Sequence, residues 1–192
     1  MIDLAVSCLQ ERIKTLAFLD LVGGIARPQK IRVGDVEKTL PATPDADNPN
    51  GYLWLTPDSN KSGIAYFELL NNYKKEAVGA GRGFAFEALV RCVVWLNTKR
   101  LSPTGAIPQA MASIVSVLQG SYADVLPVVG LIVFPEKEAI RGPELFGKYT
   151  YDEAETQFLM LPFEYFAFDF TMSFVLAANC PTVNIVKTDP TC

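Results

Sequence analysis

The chain has 192 residues, of which 49% are hydrophobic and 20% are charged, so it holds enough apolar material for one folded domain. It contains no histidine, which excludes Ser-His-Asp and Cys-His catalytic groups and removes the commonest metal ligand. A net charge of −4 and a pI near 4.9 argue against binding nucleic acid through a basic face. Composition therefore favours a non-enzymatic protein with no catalytic residues, cofactor or metal.

The charges are unevenly distributed along the chain. Residues 1–100 hold 13 Lys/Arg against 11 Asp/Glu, whereas residues 101–192 hold 4 against 10. The two parts thus differ in sign, at +2 and −6, and one part could meet the other in a neighbouring copy. The simpler interpretation is that these are ordinary solvated surface charges.

The four cysteines are too far apart for a Cys-x-x-Cys zinc or redox motif. Cys8 and Cys92 lie in apolar segments and are expected to be reduced core residues, whereas Cys180 and Cys192 lie in a polar tail. The N-terminus lacks the pattern of a signal peptide, and no apolar run is long enough to span a bilayer. We therefore expect a soluble protein made in the cytoplasm, with no membrane partner.

The first 40 residues predict a helix followed by a hairpin. Residues 1–22 place leucine and isoleucine at helical spacing, and Gly23-Gly24 is expected to end the helix. Lys30–Val33 and Val36–Leu40 each alternate between polar and apolar residues on either side of Gly34-Asp35, which is typical of a β-hairpin.

Residues 41–63, rich in proline and aspartate, predict a long loop or arm with one short strand at residues 52–55. Tyr52 and Trp54 lie in that strand, where exposed aromatic side chains would suit a partner surface; a half-buried strand is the equal alternative. Residues 64–70 then predict another strand.

Asn71–Gly83 predicts a polar turn. Its last five residues, which include Arg82, superficially resemble a phosphate-binding loop. No Gly-Lys-Ser/Thr follows them, and the next segment predicts a strand rather than a helix, so a phosphate site is not favoured.

Phe84–Asn97 is the strongest predicted strand in the first half of the chain. Both of its alternating faces are largely apolar, which is typical of a central strand covered on both sides. A helix or a neighbouring subunit must cover the second face, where Glu87 and Arg91 would need partners. The candidate interface residues are therefore Tyr52, Trp54, Arg82, Glu87, Arg91 and Trp95.

The second half predicts a helix over residues 106–119, a strand at Val128–Phe134, a loop over 135–155, and strands at Glu155–Leu161 and Tyr165–Ala177. The last strand has one aromatic face and one mixed polar face, as expected for a strand with one side buried. Together the elements predict an α+β fold: a mixed, mainly antiparallel sheet with two helices packed on one face and long loops or arms. Residues 1–178 are expected to form a single domain and residues 179–192 a C-terminal tail.

Paired carboxylates are the acid-base chemistry that this composition allows. The candidate groups are Glu136/Glu138, Asp152/Glu153/Glu155 and Glu164/Asp169. A hydrolase would need two carboxyl groups facing one cleft, with the pKa of one raised in an apolar pocket. Asp169 falls on the polar face of its strand, which favours a solvated or interface-paired carboxylate, and a carboxylate-dependent hydrolase stays an alternative.

The order of elements carries a resemblance to a known family. It comprises an amphipathic N-terminal helix, a lysine/arginine hairpin, a long strand ending in Val93–Asn97, a second helix, and a last strand with Phe-Ala-Phe-Asp-Phe-Thr-Met-Ser-Phe at Phe166–Phe174. This order resembles the neck and tail-completion proteins of tailed bacteriophages, and the tail terminators most of all.

The resemblance implies a structural virion protein that forms a ring, commonly a hexamer, at the head-tail junction or tail end. Its implied partners are further copies of itself, the tail tube protein, and the head-proximal connector or neck proteins. Double-stranded DNA would pass through the lumen without sequence-specific binding. A monomeric protein-binding module that uses Tyr52 and Trp54 is the alternative from another class.

Overall fold

Two helices and two β-sheets make up the described chain. The computed structural model describes residues 2–45, 48, 51–71, 74–78, 83–101, 106–125, 128–136, 138–150 and 160–177. Arg82, Cys180, Cys192 and the predicted tail at 179–192 lie outside these residues. The elements are α1 (Ile2–Ile13), β1 (Leu21–Ile25), β2 (Arg27–Val33), β3 (Val36–Pro44), β4 (Tyr52–Trp54), β5 (Gly63–Leu69), β6 (Lys74–Val78), β7 (Gly83–Asn97), α2 (Ala106–Leu118), β8 (Gly120–Ser121), β9 (Val128–Pro135), a 3-10 helix (Pro143–Phe146) and β10 (Phe163–Ala177).

The larger sheet has seven strands in the order β1-β5-β7-β10-β9-β8, with β6 also paired to β7. β1 runs parallel to β5, and the other pairs in this sheet are antiparallel. The smaller sheet has the antiparallel order β2-β3-β4. These pairings confirm the predicted α+β class with a mixed, mainly antiparallel sheet.

β7 and β10 form the centre of the larger sheet. Their pairing is continuous from Asn97↔Phe163 to Gly83↔Ala177. β5 and β6 divide the other edge of β7 between them, β5 beside its C-terminal half and β6 beside its N-terminal end. β9 pairs with the C-terminal half of β10.

Both helices pack on one face of this sheet, as predicted. α1 buries Ala5, Val6, Leu9 and Ile13, and α2 buries Ala110, Ile114 and Leu118. They join one apolar core with alternate residues of the two central strands; these residues are Phe86, Ala88, Val90, Cys92, Val94 and Leu96 of β7 and Phe166, Phe168, Phe170, Met172, Phe174 and Leu176 of β10. Burial raises the pKa of the Cys92 thiol. Of the two cysteines predicted to lie in the core, Cys92 is buried, whereas Cys8 on α1 is half-buried and packs against the edge of the core.

The second face of the sheet carries a smaller core at one end. Val93, Trp95 and Ala167 contribute to it from the two central strands. Leu55, just after β4, and side chains of the 3-10 helix segment cover them, chiefly Leu145, Phe146 and Tyr149. Within the described part of the chain, this cover lies over the end of β7 that pairs with β5.

The N-terminal helix is shorter than predicted, and Gly23-Gly24 lie within β1 rather than ending a helix. After Ile13 the chain turns, and the backbone N–H of Asp20 donates to the carbonyl of Gly63, 2.9 Å away, at the start of β5. A side chain at Gly23 would stand 2.7 Å from Leu55. Glycine at position 23 therefore allows Leu55 to pack closely against β1. The spacing of apolar residues along the chain does not predict this contact.

Two further predictions need correction. Lys74–Val78 is a strand, not part of a polar turn, because it pairs with the N-terminal end of β7 and satisfies backbone groups on that edge. Met160 and Leu161 were predicted to end a strand but lie in a turn, in which the N–H of Phe163 donates to the carbonyl of Met160; the rest of that predicted strand lies outside the described residues.

The segment 41–63 is partly strand, since β3 continues to Pro44 and β4 pairs with it. The hairpin at Gly34-Asp35 is confirmed: Gly34 has φ +62°, which favours glycine, and Val33 pairs with Val36. The helix at Ala106–Leu118 and the strand at Val128–Pro135 are also confirmed.

Truncation of Ile114 tests the packing of α2 on the sheet. Ile114 is fully buried, so Ile114→Ala is expected to lower the free energy of unfolding by about 2–5 kcal/mol through lost apolar burial and the cavity left behind. Urea unfolding followed by circular dichroism measures the change. Ser116→Ala on the exposed side of the same helix is the control, and equal effects of the two substitutions would contradict this packing.

The turn after α1 predicts a dependence of stability on pH. The backbone N–H of Ser62 donates to Asp20, and this hydrogen bond lowers the pKa of the Asp20 carboxyl below its ordinary 3.8. A lowered folded-state pKa stabilises the fold above the unfolded-state value, and the stabilisation is lost as pH falls through the folded-state pKa. Urea unfolding should show Asp20→Asn less stable than the natural protein at pH 7, with the gap closing below about pH 4. A gap that persists at pH 2 would exclude this linkage.

Candidate interaction surface

Among the residues that the structure describes, one half of the second sheet face lacks the cover that the smaller core gives the other half. Its side chains are half-buried or exposed, and we call it the open face. It comprises Glu76 of β6, Ala85, Glu87 and Leu89 of β7, Ile132 and Phe134 of β9, and Thr171, Ser173 and Val175 of β10. Strand alternation explains why the neighbouring residues Phe86, Ala88 and Phe174 are buried on the helix side.

The open face is built largely from small and aliphatic side chains. The side chains that the central strands place on this face are small, at Ala85, Ser173 and Val175. Phe134, at the border of the open face, is 58% exposed. A contiguous exposed apolar patch, unlike single exposed residues, is typical of an interaction surface.

Two shallow depressions lie on the open face, and each is lined by two glutamates. The first, of about 310 Å³, is lined by Glu76, Ala85, Phe86, Glu87, Gly130, Ser173, Phe174 and Val175. The second, of about 200 Å³, is lined by Asn71, Glu87, Ala88, Leu89, Glu136 and Thr171. Glu87 belongs to both, and the hydroxyl of Thr171 donates to Glu136. The depressions therefore combine an apolar floor with negative charge, which suits a partner that carries basic side chains.

A row of charged residues borders the open face. Glu68 of β5, Arg91 of β7 and Asp169 of β10 lie directly opposite one another in the sheet. Arg91 donates from Nε to Oδ1 of Asp169 at 2.7 Å and from Nη2 to Oδ2 at 3.0 Å. This hydrogen bonding raises the pKa of Arg91 against the opposing effect of desolvation. The pair is a bidentate bridge, the strongest common arrangement of these two groups.

Glu68 ends the row on the covered side, where its side chain is only 3% exposed. The phenol of Tyr149 donates to its Oε1 at 2.6 Å, and Lys148 Nζ lies 2.7 Å from Oε2. Sequence reasoning missed these three residues. A carboxylate within the apolar predicted strand 64–70 was the available signal for Glu68, but nothing local links it to residues 148 and 149.

The structure brings only part of the predicted interface together. Glu87 lies on the open face and Arg91 in the bordering row. Trp95 is 2% exposed, stacks on Phe163 at 5.0 Å and lies beneath the chain's own cover, so it does not reach the surface. Arg82 lies outside the described residues.

Tyr52 and Trp54 lie on β4, in the smaller sheet and away from the open face. Tyr52 is 48% exposed, Trp54 is half-buried, and their ring centroids are 6.1 Å apart. They therefore form a separate small aromatic surface, consistent with both interpretations that the sequence left open for this strand.

The candidate acid-base pair Glu164 and Asp169 is separated by the geometry of β10. Residues five positions apart on one strand point to opposite faces, and Arg91 holds both oxygens of Asp169. Glu136 and Glu138 are exposed, and Asp152, Glu153 and Glu155 lie outside the described residues. Among the residues that the structure describes, no three His, Cys, Asp or Glu side chains are placed to hold a metal ion.

Comparison with known proteins gives no family: no family model matches the chain, and no curated protein matches it significantly. Within the described part of the chain, neither helix has the length and apolar character needed to cross a membrane.

The bordering ion pair predicts a measurable coupling. Arg91→Met removes the ion-pair partner of Asp169 and leaves two carboxylates, Asp169 and Glu68, in the same row. It should lower the free energy of unfolding by about 1–3 kcal/mol; this is less than for a fully buried pair, because the pair is partly exposed. Arg91→Met/Asp169→Leu should cost less than the sum of the single substitutions. Urea unfolding measures all four proteins.

The matched control for that cycle is Lys30 with Glu37, an ion pair between strands whose side chains are 72% and 64% exposed. Its coupling should be clearly smaller, since water screens exposed pairs. A coupling for Arg91 and Asp169 no larger than that of the exposed pair would show that the bordering row does not stabilise the sheet.

Proposed function

We propose that this protein is a structural protein of a tailed-phage virion that forms a ring at the head-tail junction or at the tail end. The observation that carries the proposal is the open face, because the described residues cover the rest of the central strands on both sides and leave this part uncovered. The resemblance in element order to tail terminators and neck proteins supports the same conclusion.

Copies of the same chain are the natural cover for the open face. A patch that meets a different patch on the next copy makes a head-to-tail contact, and such contacts close into rings when the rotation permits. The open face suits this role because its small side chains allow close approach, while Phe134 and Leu89 supply apolar area at its border and centre.

Passage of DNA through such a ring fits the charge of the chain. The net charge is −4, and an acidic lumen avoids the Lys/Arg-phosphate contacts that hold a duplex in place. DNA would therefore pass without being read or retained. The proposed partners are the tail tube protein at one end of the ring and the connector or another neck protein at the other.

A monomeric binding module is the second candidate, and the exposed Tyr52 beside Trp54 is the observation that favours it. That surface lies on the smaller sheet, where a protein ligand could bind without any ring. The two candidates differ in the oligomeric state that each requires.

Native mass spectrometry of the purified protein, alone and mixed with tube and connector proteins encoded nearby, tests the proposal. A closed oligomer in either sample is the expected result. Ser173→Arg places a large charged side chain on the open face and should abolish that oligomer with an unchanged circular dichroism spectrum. Ser116→Arg on the exposed side of α2 is the matched control and should assemble normally.

A strict monomer in every sample would contradict the proposed ring and favour the binding module. An oligomer that tolerates Ser173→Arg would place the contact between copies elsewhere than on the open face.

A further inference from the structure

The predicted tail, residues 179–192, is attached to the sheet at the border of the open face. β10 ends at Ala177, which pairs with Gly83 at the N-terminal end of β7. The first depression of the open face begins close to that point, since Ala85 and Val175 belong to its lining. The fourteen residues of the tail therefore start beside the surface that the described residues leave uncovered.

One segment of the tail has the sequence pattern of a strand. Residues 182–188 read Thr-Val-Asn-Ile-Val-Lys-Thr and are rich in β-branched residues. Val183, Ile185 and Lys187 are spaced two residues apart, so in an extended chain they share one side. The pattern predicts a strand with two aliphatic side chains followed by a basic one on the same side.

The chain between β10 and this segment is suited to a reversal of direction. Asn179 and Pro181 are turn-forming residues, and a reverse turn takes about four residues. The open face extends from the end of β10 back to Asp169, over eight residues or roughly 26 Å. Seven extended residues, 182–188, span roughly 23 Å. The segment is therefore long enough to cross the open face once.

A turn over residues 178–181 sets which positions of the segment and of β10 lie level with each other. Counted outward from the turn, Val183 lies level with Leu176, and Ile185 lies level with Phe174. This part of β10 lines the first depression, whose floor is largely apolar. The two aliphatic side chains would therefore remove apolar surface from water where the open face is most apolar.

Lys187 matches the other end of the open face. The same count places it level with Met172 and next to Thr171, whose hydroxyl donates to Glu136. Glu136 is exposed and lines the second depression together with Leu89. A lysine has an apolar stem and a charged head, so the stem can lie on the leucine while the ammonium group reaches the carboxylate.

The attachment of the tail favours the same chain over a second copy as the source of this cover. A segment joined to a surface by a short connection has an effective concentration on the order of millimolar there. A second copy in dilute solution is far less abundant at that surface. Since the turn is such a short connection and leads to the border of the open face, a single subunit favours cover by its own tail.

We propose that residues 182–188 lie across the open face of their own chain in the unassembled protein, with Val183 and Ile185 over the first depression and Lys187 beside Glu136. The tail thereby shields apolar surface until a neighbouring copy takes its place. The contact itself does not depend on the proposed ring, whereas its displacement by a neighbour rests on that proposed function.

Zero-length carbodiimide cross-linking tests the contact, because it joins only amines and carboxylates already in contact. Lys187 is the single lysine of residues 179–192, so its cross-links report where the tail lies. The natural protein and its ¹⁵N-labelled form are mixed, diluted below the concentration at which native mass spectrometry shows oligomers, cross-linked and digested for mass spectrometry. The expected product joins Lys187 to Glu136 or Glu87 within one isotope. Cross-links only between isotopes, or none to these two glutamates, would overturn the inference.

Two substitutions in the tail provide a matched comparison. Ile185→Asp places a charge on the side that faces the sheet, and Val186→Asp places the same charge on the opposite side. Ile185→Asp should reduce the yield of the Lys187 cross-link about tenfold, as expected for the loss of one buried aliphatic side chain, whereas Val186→Asp should leave it unchanged. Circular dichroism checks the fold of both variants. Equal yields from the two variants would contradict the proposed orientation of the segment.

Native mass spectrometry separates this inference from the proposed function. Because its tail no longer competes for the open face, Ile185→Asp should form oligomers at a several-fold lower concentration than Val186→Asp; the reverse order would contradict displacement by a neighbour. A natural protein that stays monomeric in every sample but yields the Lys187 cross-link overturns the ring and leaves the tail contact in place. Oligomers without that cross-link in the diluted sample overturn the tail contact and leave the ring.

Discussion

The continuous antiparallel pairing of β7 with β10 is the constraint on which the rest of this structure depends. The two strands pair in register over fifteen residues each, without a break. β5 and β6 pair with the other edge of β7, β9 pairs with the other edge of β10, and β1 and β8 extend the sheet from β5 and β9. Both helices cover the apolar side of this sheet. Because burying an unpaired backbone group costs as much as a lost hydrogen bond, β6 and β9 are needed as much for their N–H and carbonyl groups as for their side chains. The sheet face on the helix side is therefore covered along its length, whereas the opposite face is covered only where the described loops and the smaller sheet pack on it.

The row of Glu68, Arg91 and Asp169 lies at the edge of the smaller core, where the cover on the second sheet face ends. A charged group is expensive to bury unless it is paired and hydrogen-bonded, so the row is tolerated only because each member has a partner. Glu68, the most deeply buried member, receives Tyr149 and Lys148 from the covering segment, while Arg91 and Asp169 satisfy each other nearer to water. The row thus marks the boundary between the part of this sheet face that the described residues cover and the open face. Its arrangement is the reason that Asp169 is better understood as an ion-pair partner than as a candidate acid.

Alternation within single strands was enough to predict β7, β10 and the sidedness of each. It predicted that Cys92 faces the core and that Asp169 lies on the polar side, because both follow from a period of two residues. It could not predict that Trp95 is covered by the chain itself, since that cover comes from residues 55 and 145–149, far away in sequence. The predictions of a helix end at Gly23-Gly24 and of a polar turn at Lys74–Val78 were wrong for the same reason. Local composition suggests a stop or a turn at these positions, but each segment is a strand because it pairs with a nearby strand edge. The sequence predicted that the second side of β7 needs a cover, but it did not predict which part of that side is the open face.

The length of the central strands explains why such a surface exists at all. A strand of 15 residues spans roughly 50 Å, whereas helices of 12 and 13 residues span roughly 18 and 20 Å. Both helices lie on one face of these strands and bury it in a single apolar core. Among the described residues, the second face receives the 3-10 helix segment together with Leu53 and Leu55 at the end of β4, all toward one end of the central strands. Within the described part of the chain, no segment covers the remaining length of β7 and β10 on this face, and under the proposed ring a second copy would complete the cover.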